Sequence, residues 1–388
     1  MVPNSNVGKP FKIPLFETYF DDEDIESVVG VLRSGWISTG PKTEELERAF
    51  AEYYGVHYAL FVSSGTASLH LAYLAAGINK NSTVVLPSFT YISTLTPLMW
   101  IGCRFRFADI QSIEKPVVAP DTINEALKDG AEYVIYLPYA GFLDGIDHIK
   151  KFCDDKGVKL LEDASHCHGS CWNGIRAGNL GIAAGMSLYA NKNITTGEGG
   201  VLLTNDELIY SRAKLLRSQC ITSTSFERYQ GLEMDYDIVE IGYTYRATEI
   251  QAALGLSQLK KLEWTTERRR ELVGLYRRLL EDVEEIVIPF EDYRFSGNYI
   301  FSIFSKVDRD ALRGYLFEKG IQTSIHYKPL HLFKAVGREV GPLRLPVTEK
   351  AYKMQITLPL FPTMREEWVE YIVGAIKDGV VKIKHSGK

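Results

Sequence analysis

Three short stretches of the chain carry residues whose types could act together on an anion and a carbonyl. In FVSSGTASLHLAYLAAG, an apolar run leads into Ser63-Ser64-Gly65-Thr66-Ala67 and then into a helical pattern. Small residues let the backbone approach an anion, and a helix start offers unpaired N–H groups at the positive end of its dipole. The GK[ST] element of a nucleoside-triphosphate loop is missing, so ATP and GTP are disfavoured. Taken alone, the stretch reads equally well as a Ser/Thr helix cap. In KLLEDASHCHGS, an apolar strand ends on Glu162-Asp163. A carboxylate at the C-terminal end of a buried parallel strand lies where open α/β sheets bind ligands; a capping or salt-bridged Asp is the plainer alternative. In SLYANKNITTGEGG, Lys192 follows a short strand and precedes a Gly/Thr-rich turn, with Ser187 five positions before it. A lysine among apolar or cationic groups loses proton affinity and becomes a nucleophile towards a carbonyl, whereas a solvated lysine in a turn does no chemistry. A phosphate cup, a strand-end Asp and a lysine, in that order, match the needs of pyridoxal phosphate (PLP). That cofactor takes an anion site, a carboxylate to keep its pyridine nitrogen protonated, and an amine to meet its aldehyde.

The elements around these residues form one pattern. From Thr83 to Asn205 the β-rich runs are TVVLPS, CRFRFADI, EYVIYLPYA, KLLEDA, GMSLYA and GGVLLTN. Several are apolar almost throughout, as strands covered on both faces are. Helix-length segments between most of them imply right-handed crossovers and a mostly parallel sheet with helices on both faces. The last two are too close for a crossover, so one of them is expected to run antiparallel. DDEDIESVVGVLRSG and KTEELERAFAEYYG read as amphipathic helices ending at Gly. TEIQAALGLSQLKKLEWTTERRRELVGLYRRLLEDV reads as one long helical stretch leading out of the first domain. Beyond it, NYIFSIFSKV predicts a strand, and DRDALRGYLFEKG and REEWVEYIVGAIKDG predict helices. The expected division is a large α/β domain over residues 1–255 and a smaller α+β domain over 256–388, since 388 residues exceed what one core usually holds.

Bulk properties exclude other classes. Hydrophobic residues make up 45% and charged residues 24%, a soluble globular balance. The formal net charge is -5, against the basic stripe of a nucleic-acid protein. No apolar run approaches the ~20 residues of a membrane span, and the N-terminus lacks a secretory h-region. Five Cys, an odd number, suggest reduced thiols and a cytoplasmic setting. His166, Cys167, His168 and Cys171 crowd together, but no second ligand pair follows at zinc spacing, so no metal is expected.

The chain resembles the DegT/DnrJ/EryC1/StrS family of sugar aminotransferases, a branch of the fold type I (aspartate aminotransferase) PLP enzymes. The resemblance covers nearly the whole length. It is carried by SGWISTGPKTEELERAFAEYYG, SSGTASLHLA, LPSFTYIST, LEDASHCHGS, NKNITTGEGGVLLTND, GYTYRATEIQAALGLSQLKKLE, HYKPLH and LPVTEKAYKMQITLPLFPT, in that order. It implies that Lys192 would hold PLP as a Schiff base and then shuttle a proton between the substrate carbon and the cofactor. Asp163 would pair with the pyridine nitrogen. Gly65, Thr66, Ala67 and Ser187 would hold the phosphate. His166 would reach the ring hydroxyl, and Tyr91 would stack on the ring face. Relatives commonly read G-Y-N-Y-R where this chain has Gly242-Tyr243-Thr244-Tyr245-Arg246. That Asn reaches the PLP phosphate from the neighbouring subunit; Thr244 is shorter but still carries a donor. Arg246 is expected to contact substrate, as is His331, which with His326 lies in the HYKPLH segment that faces the sugar in relatives.

The reaction this implies is a two-stage amino transfer. L-glutamate would be the donor, and a nucleotide-linked keto sugar the acceptor, for amino-sugar or surface-glycan synthesis. The Tyr-Arg pair after Thr244 favours the branch acting on 4-keto-6-deoxy sugars. The expected assembly is a homodimer with shared active sites. The rivals are a PLP-dependent sugar dehydratase, a ketoinositol aminotransferase and a non-catalytic regulatory relative. Dehydratase relatives carry His in place of the lysine, so Lys192 favours transamination. The sugar and nucleotide would be chosen by surface loops such as CITSTSFERYQGLEMDYD.

Overall fold

The computed structural model describes residues 11–128, 130–143, 145–223, 231 and 236–386. Two helices open the fold, α1 (Asp22–Ser34) and α2 (Pro41–Tyr54). Each stops where its sequence predicts, at Gly35 (φ 75°) and Gly55 (φ 67°), left-handed positions that cost a glycine little. Asp21 and Asp24 form a reciprocal capping box at the start of α1. The Glu249 carboxylate caps α2 by accepting the N–H groups of Gly40, Lys42 and Thr43 at 2.7–2.9 Å.

The chain then alternates: β1 (Tyr58–Val62), α3 (Gly65–Ala75), β2 (Thr83–Pro87), α4 (Thr96–Ile101), β3 (Arg104–Ala108), α5 (Pro120–Ala126), β4 (Tyr133–Tyr136), α6 (Ile146–Lys156) and β5 (Lys159–Asp163). A two-stranded ribbon, β6 (Cys171–Trp172) and β7 (Ile175–Arg176), precedes β8 (Ala183–Ser187) and β9 (Gly200–Thr204). Seven of these strands form one sheet in the order β1-β9-β8-β5-β4-β2-β3. β2, β3, β4, β5 and β8 pair in parallel, and β9 runs antiparallel to both β8 and β1. The expected antiparallel member is therefore β9.

Alternation along the strands divides the side chains between two apolar layers. Phe61, Val85, Val134, Tyr136 and Leu203 belong to one. Leu60, Val84, Leu86, Ile135 and Leu202 belong to the other. Helices α3, α4 and α7 (Glu207–Arg217) supply the second layer, with Leu69, Leu71, Tyr73, Leu98 and Leu216.

The long helical stretch is broken at Lys261 into α8 (Glu249–Lys260) and α9 (Leu262–Leu280). Periodicity runs straight through this point, so sequence alone does not show the break. Tertiary contacts mark it: the Lys261 ammonium sits 2.5 Å from Asp21 and 2.6 Å from Asp24 of the α1 cap. α8 packs on α1 and α2, whereas α9 packs on α13 (Glu366–Ser386), the last helix. Between them lie β10 (Ile286–Val287), β11 (Phe301–Ser305), α10 (Arg309–Glu318), α11 (Lys334–Val340), α12 (Pro346–Met354) and β12 (Gln355–Leu358). β10, β11 and β12 form a small antiparallel sheet over a third apolar cluster that includes Leu272, Tyr276, Phe301, Ile303 and Ile376. Among the described residues no helix is long and apolar enough to cross a membrane.

Candidate active site

A cavity of about 350 Å³ opens at the C-terminal ends of the parallel strands, where sheets of this kind bind ligands. The turn after β1 brings Ser64, Gly65 and Thr66 to it, the segment after β2 brings Tyr91 and Ser93, and β5 brings Asp163. Ser187 ends β8, and Lys192 follows in the turn beyond it. Asn191, Glu198, Tyr299, His326 and Tyr327 complete the wall. The three separate stretches that carried chemistry in the sequence thus meet in one place.

The anion cradle is built by close approach. A Cβ on Gly65 would lie 2.7 Å from the Ser187 Cβ, and one on Gly200 would lie 2.3 Å from the Ser64 carbonyl oxygen. Only glycines let β8, β9 and the turn after β1 come this near. Ser64 caps α3 by accepting the Ala67 N–H at 3.1 Å. Ala67 is buried and its N–H is thereby engaged, so the first-turn donors at the cavity are those of Gly65 and Thr66. Thr66 Oγ1 donates to Ser93 Oγ at 2.8 Å, which fixes its lone pairs and the loop together.

Asp163 is buried and held in one orientation: Thr94 Oγ1 donates to Oδ2 at 2.6 Å and the Ser165 N–H to Oδ1 at 3.2 Å. A carboxylate has about four acceptor positions, so lone pairs remain for a cationic ring nitrogen. Its neighbour Glu162 serves a different purpose on the opposite side of the strand. It accepts the N–H groups of Gly178, Leu180 and Gly181 at 2.9–3.0 Å and does not line the cavity.

Lys192 has its Nζ 3.8 Å above the centre of the Tyr299 ring and makes no ion pair among the described residues. Burial pushes its ammonium down from 10.5 to about 7, against the opposing pull of Asp163 and Cys167. A desolvated amine poised near neutrality is what carbonyl chemistry needs. Tyr91, 57% exposed, stands at the mouth with its ring 5.9 Å from that of Tyr327.

His166 is buried with both ring nitrogens engaged. Nδ1 accepts the Ala140 N–H at 3.2 Å, and Nε2 lies 2.8 Å from the Tyr327 hydroxyl. Burial, aided by the Lys192 charge, holds its pKa well below the usual histidine value, so the ring is neutral. His168 is pinned between Tyr54 OH (2.9 Å) and the Ser187 carbonyl (2.8 Å), which steadies the end of β8. Burial lowers its pKa to about 4, and that of His326 likewise.

The structure does not bring every expected residue to this cavity. His331 is buried in its own contacts: Nδ1 lies 2.8 Å from Ser88 Oγ, and Nε2 lies 3.5 Å from the Glu349 carboxylate. His331 is not among the residues that line the cavity, whereas His326 of the same HYKPLH segment is. Thr244 is exposed on the strip that pairs with Ser218, outside the lining residues. Arg246 faces a second cavity of about 340 Å³ with Glu47 and Arg217. Of the loop expected to choose the sugar, residues 224–230 and 232–235 lie outside the described residues. Thr94, Tyr299 and Tyr327 were not singled out from sequence. Thr94 left a faint signal, as one of two threonines flanking Tyr91 in PSFTYIST, and it hydrogen-bonds to the other, Thr90, at 2.7 Å. Tyr299 and Tyr327 look like strand and loop aromatics until the fold turns them to the same wall.

A glycine-tight anion loop, an oriented carboxylate and a near-neutral amine in one cavity fit PLP. Comparison with known proteins agrees. The profile of the DegT/DnrJ/EryC1/StrS aminotransferase family matches residues 18–377. An uncharacterized protein of Methanocaldococcus jannaschii is 32% identical over 376 residues, covering 94% of this chain and 97% of its own. PseC of Helicobacter pylori, an aminotransferase involved in pseudoaminic acid biosynthesis, superposes with a TM-score of 0.88 at 26% identity, over 95% of this chain and 98% of PseC. Spr1654 of Streptococcus pneumoniae, assigned as a sugar aminotransferase and solved in its PLP form, gives 0.89 at 26% identity, over 96% and 99%.

Proposed function

This chain belongs to the DegT/DnrJ/EryC1/StrS aminotransferase family of PLP-dependent enzymes, and on that premise we propose that it transfers an amino group from L-glutamate to a nucleotide-linked 4-keto-6-deoxy sugar. The product would serve amino-sugar or surface-glycan synthesis. The observation that carries the transaminase reading is Lys192, an amine near neutrality in the cavity that also holds Asp163 and the Gly65 turn. The sugar reading is supported by likeness to PseC, by hydroxyl and amide groups of Ser93, Ser165 and Asn191 on the wall, and by the Tyr245-Arg246 pair.

PLP, when bound, supplies an aldehyde that takes up the amino group and a ring that accepts the electron pair left by a departing proton. The chain's residues do the rest. Gly65 and Thr66 donate backbone N–H groups to the phosphate, and Ser187 adds its hydroxyl. Asp163, oriented by Thr94, keeps the pyridine nitrogen protonated. Lys192 Nζ, its ammonium pushed down to about 7 by burial, would hold the cofactor through its aldehyde with loss of water, and would take and return the proton at the reacting carbon. Tyr91 covers one ring face. Thr244 and Arg246 act in the site of a second copy of the chain, in a homodimer.

The test is product analysis by mass spectrometry, with L-glutamate and a panel of UDP-, dTDP- and GDP-linked 4-keto-6-deoxy sugars. An amino sugar formed with 2-oxoglutarate supports the proposal. Loss of water without amine gain would make the enzyme a dehydratase, and binding without turnover would make it a regulatory relative.

A further inference from the structure

β1 is an edge strand of the large sheet, and side chains cover its free edge. Glu47 accepts the Phe61 N–H at 2.9 Å, and Arg217 Nη1 donates to the Phe61 carbonyl at 2.9 Å and to Glu47 at 2.5 Å. Alternation along an antiparallel strand turns the N–H of Ala59, two residues earlier, to the same edge. No described residue accepts it there. Ala59 and Arg217 both line the second cavity, of about 340 Å³. Arg217 is only 6% exposed. A guanidinium carries five N–H groups; Nη1 makes two bonds, while Nε and Nη2 have no partner among the described residues. Unspent donors on a buried charge are costly unless an acceptor reaches them. Arg48 and Lys214 line the same cavity, exposed and without an ion pair among the described residues. The carboxylates of the lining are Glu44 and Glu47, and Glu47 is already spent on Arg217 and Phe61. Arg246, proposed for the neighbouring subunit's site, pairs with Val62, about 10 Å along β1 from Ala59.

We propose that this cavity is a second anion site, taking a phosphate group on Arg217 Nη2 and the Ala59 N–H, with Arg48 and Lys214 balancing its charge. It shares no lining residue with the cavity that holds Lys192, so it is separate from the cofactor's phosphate cup. A planar guanidinium suits phosphate oxygens, and a buried one holds its geometry without losing side-chain freedom on binding. The cavity is nearly as large as the one for PLP, about 340 against 350 Å³, which leaves room for the organic part of a small phosphate ester. The ligand would rest on the same strand that ends in the Gly65 turn. The site stands or falls independently of which sugar the enzyme aminates.

The experiment titrates inorganic phosphate, and separately glycerol phosphate, into PLP-loaded protein by calorimetry. Borohydride treatment first fixes PLP in its own cavity, so the cofactor's phosphate cup cannot answer for the second site. One anion per chain should bind. Arg217→Met should weaken binding at least about tenfold, and Arg48→Ala and Lys214→Ala about threefold each. Glu47→Gln, whose amide oxygen still accepts the Phe61 N–H, should tighten binding about threefold, because the guanidinium is released from its carboxylate. A purely structural Glu47–Arg217 pair would give no such gain. Tighter binding of glycerol phosphate than of inorganic phosphate supports an organic phosphate as ligand, and equal binding supports the free ion. Phosphate that binds PLP-free protein but not protein with PLP fixed in place would overturn the proposal, since the cofactor's cup would then account for all of it. Affinity unchanged in Arg48→Ala, Lys214→Ala and Glu47→Gln would overturn it as well, and that outcome does not depend on whether the Arg217 variant folds.

Discussion

At the scale of single residues, Lys192 carries the sharpest expectation. A lysine titrating at 10.5 is neutral in roughly one part in three thousand at pH 7; with burial pushing the value down to about 7, half is neutral. Only the neutral amine attacks, so reactivity should rise through pH 7 and level off above it. An amine-reactive label on PLP-free protein, read by peptide mass spectrometry, should modify Lys192 with a midpoint near pH 7 while surface lysines stay silent below about pH 9. A midpoint above pH 9 would mean that Lys192 is an ordinary solvated lysine. Lys192→Ala should fold and show no turnover. Asp163→Asn should weaken PLP binding about 10- to 100-fold, because an amide cannot hold the ring nitrogen protonated. Unchanged PLP affinity in that variant would give Asp163 a purely structural role. Asp163 stands out in the sequence because it ends an apolar strand pattern, and Lys192 because it falls in the Gly/Thr-rich turn beyond one. Thr94, which orients Asp163 from 69 positions away, was not legible. No periodicity marks a residue whose role depends on which strand lies next to which.

At the scale of elements, the anion site is a matter of spacing between β1, β8 and β9. Gly200→Ala would place a Cβ 2.3 Å from the Ser64 carbonyl oxygen and 2.7 Å from the Gly65 nitrogen. Both are backbone atoms with nowhere to yield. The variant should lose about 1–3 kcal/mol of stability and bind PLP poorly. Gly30 in α1 is a matched control, since nothing lies within 4 Å of a Cβ there. Gly30→Ala should leave stability equal or raised by up to about 1 kcal/mol. Thermal melts of the two PLP-free variants check the contrast, and equal melting temperatures would refute the close-packing account of the site. Strand and helix spans were readable because their signals are local: apolar runs, capping Asp residues and C-terminal glycines. The break at Lys261 was hidden because a distant ion pair with Asp21 and Asp24 marks it, while the local pattern stays helical.

At the scale of the whole molecule, the expectation is a homodimer in which each site borrows from the other chain. Ile238, Val239 and Ile241 are each more than half exposed just before the GYTYR strip, an apolar run that suits contact with a second copy. An equal mixture of Lys192→Ala and Arg246→Ala chains, allowed to exchange, should recover about a quarter of wild-type activity. Half the dimers are then mixed, and each mixed dimer has one intact site. Exchange confirmed by mass spectrometry with no recovery, or an active monomer in sedimentation, would reject the shared site and leave the PLP chemistry in place. Fold class was legible at this scale from the alternation of strands and helices. The position of His331 was not, because a motif gives order along the chain and says nothing about which of its two histidines turns inward.

The position of β9 also bears on how the protein is made. β1 has a single neighbour in the sheet, β9, which lies about 140 residues later in the chain. A ribosome therefore produces the phosphate turn long before the strand that clamps it. Until Gly200–Thr204 leaves the exit tunnel, β1 has no strand to pair with, although β2, β3, β4 and β5 can already assemble beside one another. Closing so long a loop is slow compared with local helix formation. A chain shortened before Gly200 would carry Gly65, Asp163 and Lys192 but lack the strand that closes the anion cradle around them.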